Sequence, residues 1–198
     1  VAPAQDVTSA RRGSLRGPRA RPWYRYRPVP ASRPGRVRGR DRPATFPPLI
    51  PEEPRRIVES GYDAIAERYA DAIRRGRGPQ TFFRRFLGRV LELIPDGGRV
   101  LDLGCGAGLI AAELATRARV VAVDMSAGQL ELASTNAPAA TFVSADMTEV
   151  AFAPRSFDAL VAFWTLIHVR RELHAGILGR IHGRLRPGGF LAGTFGSG

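Results

Sequence analysis

Apolar positions change their spacing twice along this chain. Up to about residue 54 they show almost no aliphatic periodicity, and Arg and Pro fill the gaps. From Ile57 a helical period sets in: Val58, Tyr62, Ile65, Tyr69 and Ile73 predict an amphipathic helix over 57–74. Gly76, Gly78 and Pro79 end it. Phe83, Phe86, Leu87, Val90, Leu91 and Ile94 share one face of a second helix, stopped at Pro95-Asp96-Gly97-Gly98. Beyond it, short apolar runs alternate with helical stretches. Strands are expected over 99–103, 120–123, 140–143, 157–163 and 190–195, and helices over 109–115, 126–134 and 172–185. Ser126 and Gln129 stand at capping-box spacing, and Pro187-Gly188-Gly189 reads as the turn before the last strand. This alternation predicts an α/β fold: a doubly wound, mostly parallel sheet with helices on both faces. The domain is assigned to 55–198, with a helical cap over 57–95 and the α/β core over 99–198.

Charge sets the first segment apart. The chain has 198 residues, 30 basic residues that are all Arg, 18 acids and a formal net charge of +12. Residues 1–50 hold 12 Arg and 2 acids, a net +10; residues 51–198 hold 18 Arg and 16 acids, a net +2. With 11 of the 16 prolines and little to bury, residues 1–54 are expected to form a disordered Arg/Pro-rich arm. Its stretch Trp23-Tyr24-Arg25-Tyr26-Arg27 interleaves aromatics with Arg, a pattern that suits stacking on single-stranded nucleic acid. The longest apolar stretch, 159–167, is too short to span a membrane. No apolar run follows Arg11-Arg12, so no export signal is expected. A single cysteine, Cys105, excludes an internal disulfide framework and a multi-thiolate zinc site. His168, His174 and His182 form no metal-ligand cluster with acids. A cytoplasmic protein without a metal is expected.

The chemistry concentrates in residues 100–108, VLDLGCGAG, where a strand runs into a glycine-rich turn and then a helix. Gly104, Gly106 and Gly108 can adopt positive φ and bring bare backbone to a ligand. The helix start behind them is expected to offer N–H groups to an anionic group. A dinucleotide fingerprint would need Gly where Leu109 stands, and a phosphate-binding P-loop needs a Lys that the chain lacks.

What stands is D-x-G-x-G-x-G, from Asp102 to Gly108, and it resembles the first motif of class I S-adenosylmethionine-dependent methyltransferases. The resemblance continues in family order: VVAVD (120–124) with its terminal acid, Ala145-Asp146-Met147, FDALVAF (157–163) and LRPGG (185–189). GYDAIAERY (61–69) is similar to the cap segment of small-molecule members. The resemblance implies a Rossmann-like fold, S-adenosylmethionine as cofactor and a small-molecule methyl acceptor. Asp124 then clasps the ribose hydroxyls and Met125 packs on adenine. Asp146 accepts from the adenine amino group, with the Met147 backbone beside it. Asp102 organises the glycine loop around Gly104, Cys105, Gly106 and Gly108, Cys105 filling space rather than acting as a nucleophile. Tyr69 faces the cofactor from the cap. Phe163 and Trp164 form an apolar wall, and His168 is the candidate catalytic base. His174 and His182 are expected on a helix surface. No proline box follows 157–163 and no cysteine stands there, which excludes the amine-directed and cytosine-C5 nucleic-acid enzymes. Members of the family continue past the fifth strand, so the resemblance implies a core truncated there. Two alternatives stand beside it: a nucleic-acid-binding or RNA-modifying protein that uses the basic arm, and an inactive cofactor-binding fragment.

Overall fold

The computed structural model describes residues 52–74 and 80–195. Residues 1–51, which make up nearly all of the Arg/Pro arm and include Trp23 to Arg27, lie outside the described residues.

Helices α1 (Glu52–Arg74) and α2 (Gln80–Leu93) precede a five-stranded sheet. The sheet contains β1 (Arg99–Leu103), β2 (Arg119–Asp124), β3 (Thr141–Ser144), β4 (Phe157–Ala162) and β5 (Leu185–Gly193). The helices α3 (Leu109–Ala115), α4 (Ala127–Asn136) and α5 (Arg171–Arg184) alternate with them. Strand order is β3-β2-β1-β4-β5 and every pairing is parallel. Burial on both faces explains why the strands read as continuous apolar runs. In β1, Val100 packs into one hydrophobic layer, with Val90, Ile94, Leu114 and Val161. Its neighbours Leu101 and Leu103 enter the other, with Val121, Phe157, Leu160 and Ile181. This two-residue alternation puts Asp102 on the Val100 side of the strand.

Chain order leaves β1 in opposite directions, through β2 to β3 on one side and to β4 and β5 on the other. The carboxyl ends of β1 and β4 therefore flank the switch point, where open parallel sheets leave a crevice.

Apart from shifts of one or two residues at other element ends, two boundaries differ from the sequence expectation. The first helix begins at Glu52, so residues 52–54, assigned to the arm, are helical. Pro54 falls in the first turn, where a missing N–H breaks no helical hydrogen bond. The second difference is Pro187-Gly188-Gly189, which lies inside β5 rather than before it. The register passes from Phe157↔Leu185 to Ala159↔Phe190, so the tripeptide bulges out of an otherwise continuous pairing. Gly188 supplies a φ of 80° for this bulge. Arg186 pins it by a 2.7 Å bond to Asp158. The strand closes at Gly193, two residues before the expected end at Phe195.

Candidate functional site

Why β1 must end in glycine is visible in the packing. A Cβ on Gly104 (φ 68°) would lie 2.2 Å from Thr165 Oγ1, and one on Gly108 (φ 76°) would lie 2.8 Å from the Ala133 Cβ. These two glycines admit neighbouring elements, Thr165 after β4 and the helix α4. At Gly106 (φ 52°) the nearest atom would be Gln129 Oε1 at 3.6 Å, so space is open there and conformation alone selects glycine.

The loop amides are largely committed inside the protein. The N–H groups of Gly104 and Cys105 both donate to the Val123 carbonyl, at 2.7 and 3.0 Å, and Gly108 donates to the Cys105 carbonyl. Gly106 N–H donates to Asp124 Oδ2 at 2.8 Å. The loop is thus tied to the end of β2.

Asp124 is the hub of that tie. Its second oxygen, Oδ1, accepts from Ser126 N–H at 3.0 Å. Both oxygens are oriented by backbone donors, and each keeps a lone pair for another partner. Burial raises its pKa, while the backbone hydrogen bonds from Ser126, Gly106 and Met125 work against that rise. One link further out, Ser126 Oγ donates to Asp63 of α1 at 2.5 Å. The same Asp63 oxygen accepts from Gly128 N–H at 3.0 Å. The Ser126–Gln129 pair forms half of its capping box: Ser126 Oγ accepts from Gln129 N–H, but the buried Gln129 amide finds no hydrogen-bond partner among the described residues. The Asp63 link is invisible in local spacing, because its partners lie 63 and 65 residues away.

Around this hub lies a cavity of about 120 Å³ that opens to solvent. Gly104, Gly106, Asp124, Met125, Asp146, Met147, Phe163, His168 and Tyr69 all line it. Asp102, Cys105 and Gly108 stand behind the loop, off the cavity wall. Asp102 is fully buried, with Oδ2 unpartnered among the described residues. Burial, reinforced by the Asp124 charge, raises its pKa to about 7. Burial also pushes the Cys105 thiol well above its ordinary value, so the thiol is neutral and a poor nucleophile. Asp146 folds its own loop as well: Oδ1 accepts from both the amide and the hydroxyl of Thr148 at 2.6 Å.

The wall is completed by α1 and by the segment after β4. Tyr62 and Tyr69, two turns apart on α1, meet edge to face at 5.6 Å. Burial raises both phenol pKa values, and the negative charge of Asp124 adds to the effect. The Tyr62 hydroxyl is 2.8 Å from His168 Nε2. His168 sits on a short 3₁₀ turn, Leu166–His168, which sequence periodicity did not predict. Burial lowers the His168 pKa, so the ring is neutral at pH 7. That turn is braced by His174, expected on the helix surface but found half-buried with Nε2 at 2.9 Å from the Val169 carbonyl and 3.2 Å from that of Leu166. Trp164 reaches the wall from a left-handed backbone, φ 54°, unusual for a bulky residue. Its N–H is held by Thr194 Oγ1 at 2.5 Å.

Among the described residues, no group of three or more His, Cys, Asp or Glu side chains could hold a metal ion. Nor is any helix there long and apolar enough to cross a membrane.

Comparison with known proteins places this geometry in context. Residues 100–189 match a family model described as a methyltransferase domain. An uncharacterized methyltransferase of Mycobacterium bovis is 41% identical over 105 residues, covering 50% of this chain and 52% of the relative. A trans-aconitate 2-methyltransferase of Paracidovorax citrulli is 39% identical over 101 residues, covering 47% of this chain and 36% of the relative. The chain thus spans about half the length, or less, of these relatives. In the fold itself, it is similar to the crystal structure of a TehB-like SAM-dependent methyltransferase from Corynebacterium glutamicum. That match has a TM-score of 0.58 at 22% identity, over 70% of this chain and 74% of the other.

Proposed function

We propose that the chain is a class I S-adenosylmethionine-dependent methyltransferase and that it methylates a small-molecule acceptor in the cavity beneath α1, with S-adenosylmethionine as donor. One observation carries this reading: the backbone of Gly104 and Gly106, the Asp124 carboxylate and the Met125 and Met147 side chains converge on one cavity at the switch point of the sheet.

The residues present fit the cofactor. Asp124 has both oxygens fixed by backbone donors and lone pairs to spare, the requirement for holding a pair of vicinal hydroxyls. Met125 and Met147 give a soft apolar slot for a purine face. Asp146, its loop fixed through Thr148, accepts from the exocyclic amine. Tyr69 covers the slot from α1. Asp102, Cys105 and Gly108 act one layer back, keeping the loop in shape. When bound, the cofactor supplies a methyl group activated by a sulfonium. The chain's share of the work is alignment of the acceptor and exclusion of water. Phe163 and Trp164 wall the acceptor end, and His168 takes up a proton there. The reducing cytoplasm suits the free thiol of Cys105.

Calorimetric titration with S-adenosylmethionine tests the reading. Asp124→Ala is expected to weaken binding by about 1–3 kcal/mol, the scale of lost hydrogen bonds to a charged group. Unchanged affinity removes Asp124 from the site, and no binding by the native chain removes the proposal.

A further inference from the structure

The Tyr62–His168 contact joins residues 106 positions apart, both on the wall of the cavity. From the geometry we infer that this pair is a proton relay, and that the acceptor it serves is the hydroxyl group of an uncharged aromatic molecule. The inference rests on the methyltransferase reading and adds the acceptor class and a second catalytic residue, Tyr62.

The cavity wall decides what enters. Its described lining contains no Arg, and its only carboxylates, Asp124 and Asp146, repel an anionic acceptor. Tyr62, Tyr69, Phe163, Trp164 and His168 make it rich in flat rings, which favours a flat partner. Tyr62 and His168 are joined to each other, so an incoming group meets them as one unit. The titratable groups that line the cavity with His168 are Tyr62 and Tyr69 from α1 and Asp124 and Asp146 from the sheet edge. His174, on α5, is turned to backbone carbonyls and takes no part.

With the proton of the neutral imidazole on Nδ1, Tyr62 Oη–H donates to Nε2 and leaves the Tyr62 oxygen as acceptor for the substrate hydroxyl. In the transfer, the substrate O–H proton passes to Tyr62 Oη while the tyrosine proton passes to His168 Nε2. The acceptor oxygen forms the O–CH₃ bond with the freed electron pair. The S–CH₃ pair stays on sulfur as a neutral thioether, and the positive charge ends on the imidazolium. Atoms and charge balance without a further reactant.

Two measurements on the full chain test this. Histidine ¹⁵N spectra are expected to show His168 Nε2 as an unprotonated nitrogen accepting a hydrogen bond. Tyr62→Phe should shift the His168 titration upward, because the neutral ring loses its donor. A protonated Nε2, or a titration that Tyr62→Phe leaves unmoved, overturns the relay. In turnover with 1-naphthol as the probe, Tyr62→Phe and His168→Gln should each lower kcat at least tenfold, as expected for lost general-base catalysis. Calorimetric affinity for S-adenosylmethionine should stay within about twofold, since neither side chain is assigned to the cofactor. Transfer to trans-aconitate in preference to 1-naphthol, or none to 1-naphthol, overturns the acceptor class. Cofactor binding by the native chain separates these failures from failure of the methyltransferase reading itself.

Discussion

Replacing Asp102 by Asn tests the electrostatics beneath the loop. The carboxyl is fully buried, Oδ2 has no hydrogen-bond partner among the described residues, and Asp124 lies near enough to repel a second charge. Its pKa is accordingly raised from 3.8 to about 7. For a carboxyl raised on folding, the native state holds its proton across a pH range in which the unfolded chain has already lost it. Stability therefore falls as pH rises from about 4 to about 7, and levels off above that. Taking about 1.4 kcal/mol per unit, the loss approaches 4 kcal/mol as an upper scale. Asp102→Asn keeps the shape and removes the titration. In urea unfolding, the difference in stability between Asp102→Asn and the native protein is expected to grow steadily in favour of the amide between pH 4.5 and 7. Asp124 titrates in both proteins and largely cancels from that difference. A difference independent of pH, or one that shrinks as pH rises, refutes the reasoning.

Other perturbations separate packing from conformation. Gly104→Ala drives a methyl group into Thr165 and also imposes left-handed strain. It should cost about 2–4 kcal/mol in thermal unfolding, against about 1–2 for Gly106→Ala, where there is room. Equal costs would contradict the packing account. Asp63→Ala removes the acceptor shared by Ser126 Oγ and Gly128 N–H. Amide exchange should speed up in α1 and at the start of α4 but not in β1 or β4, and a uniform change would show that Asp63 is no specific anchor. Arg184→Met deletes a buried guanidinium that donates to the Val150 carbonyl and lies over the Phe152 ring. The loop carrying Asp146 should loosen, seen as faster exchange at Thr148 and Val150. Unchanged exchange there would leave Arg184 a packing role only.

Where local signals agreed, the chain could be read closely. The run Arg99–Leu103 lies between glycines, and Leu109–Ala115 is a short helix starting beside one, so both were legible to the residue. Pro54 looked like a boundary because a proline in the first turn and a proline that breaks a helix are the same letter. Pro187-Gly188-Gly189 looked like a turn, because a bulge uses the same residues and is distinguished only by the partner strand. The wall residues Tyr69, Asp124, Met125, Asp146, Met147, Phe163 and His168 were assigned through motif order, and the fold gathers them around one cavity. The bonds that tune them were not legible. Tyr62 to His168 and Asp63 to Ser126 are made by tertiary approach between α1 and the sheet edge, and no local period encodes either. Nor was it legible that β2 takes up the amides of the glycine loop, through the Val123 carbonyl and the Asp124 carboxylate.

The most direct trial of the central claim is a crystal structure of the chain with S-adenosylhomocysteine. Ribose hydroxyls within hydrogen-bond distance of Asp124 and a purine between Met125 and Met147 are the expected result. Nucleoside bound elsewhere, or the crevice under α1 left vacant at saturating ligand, would contradict it.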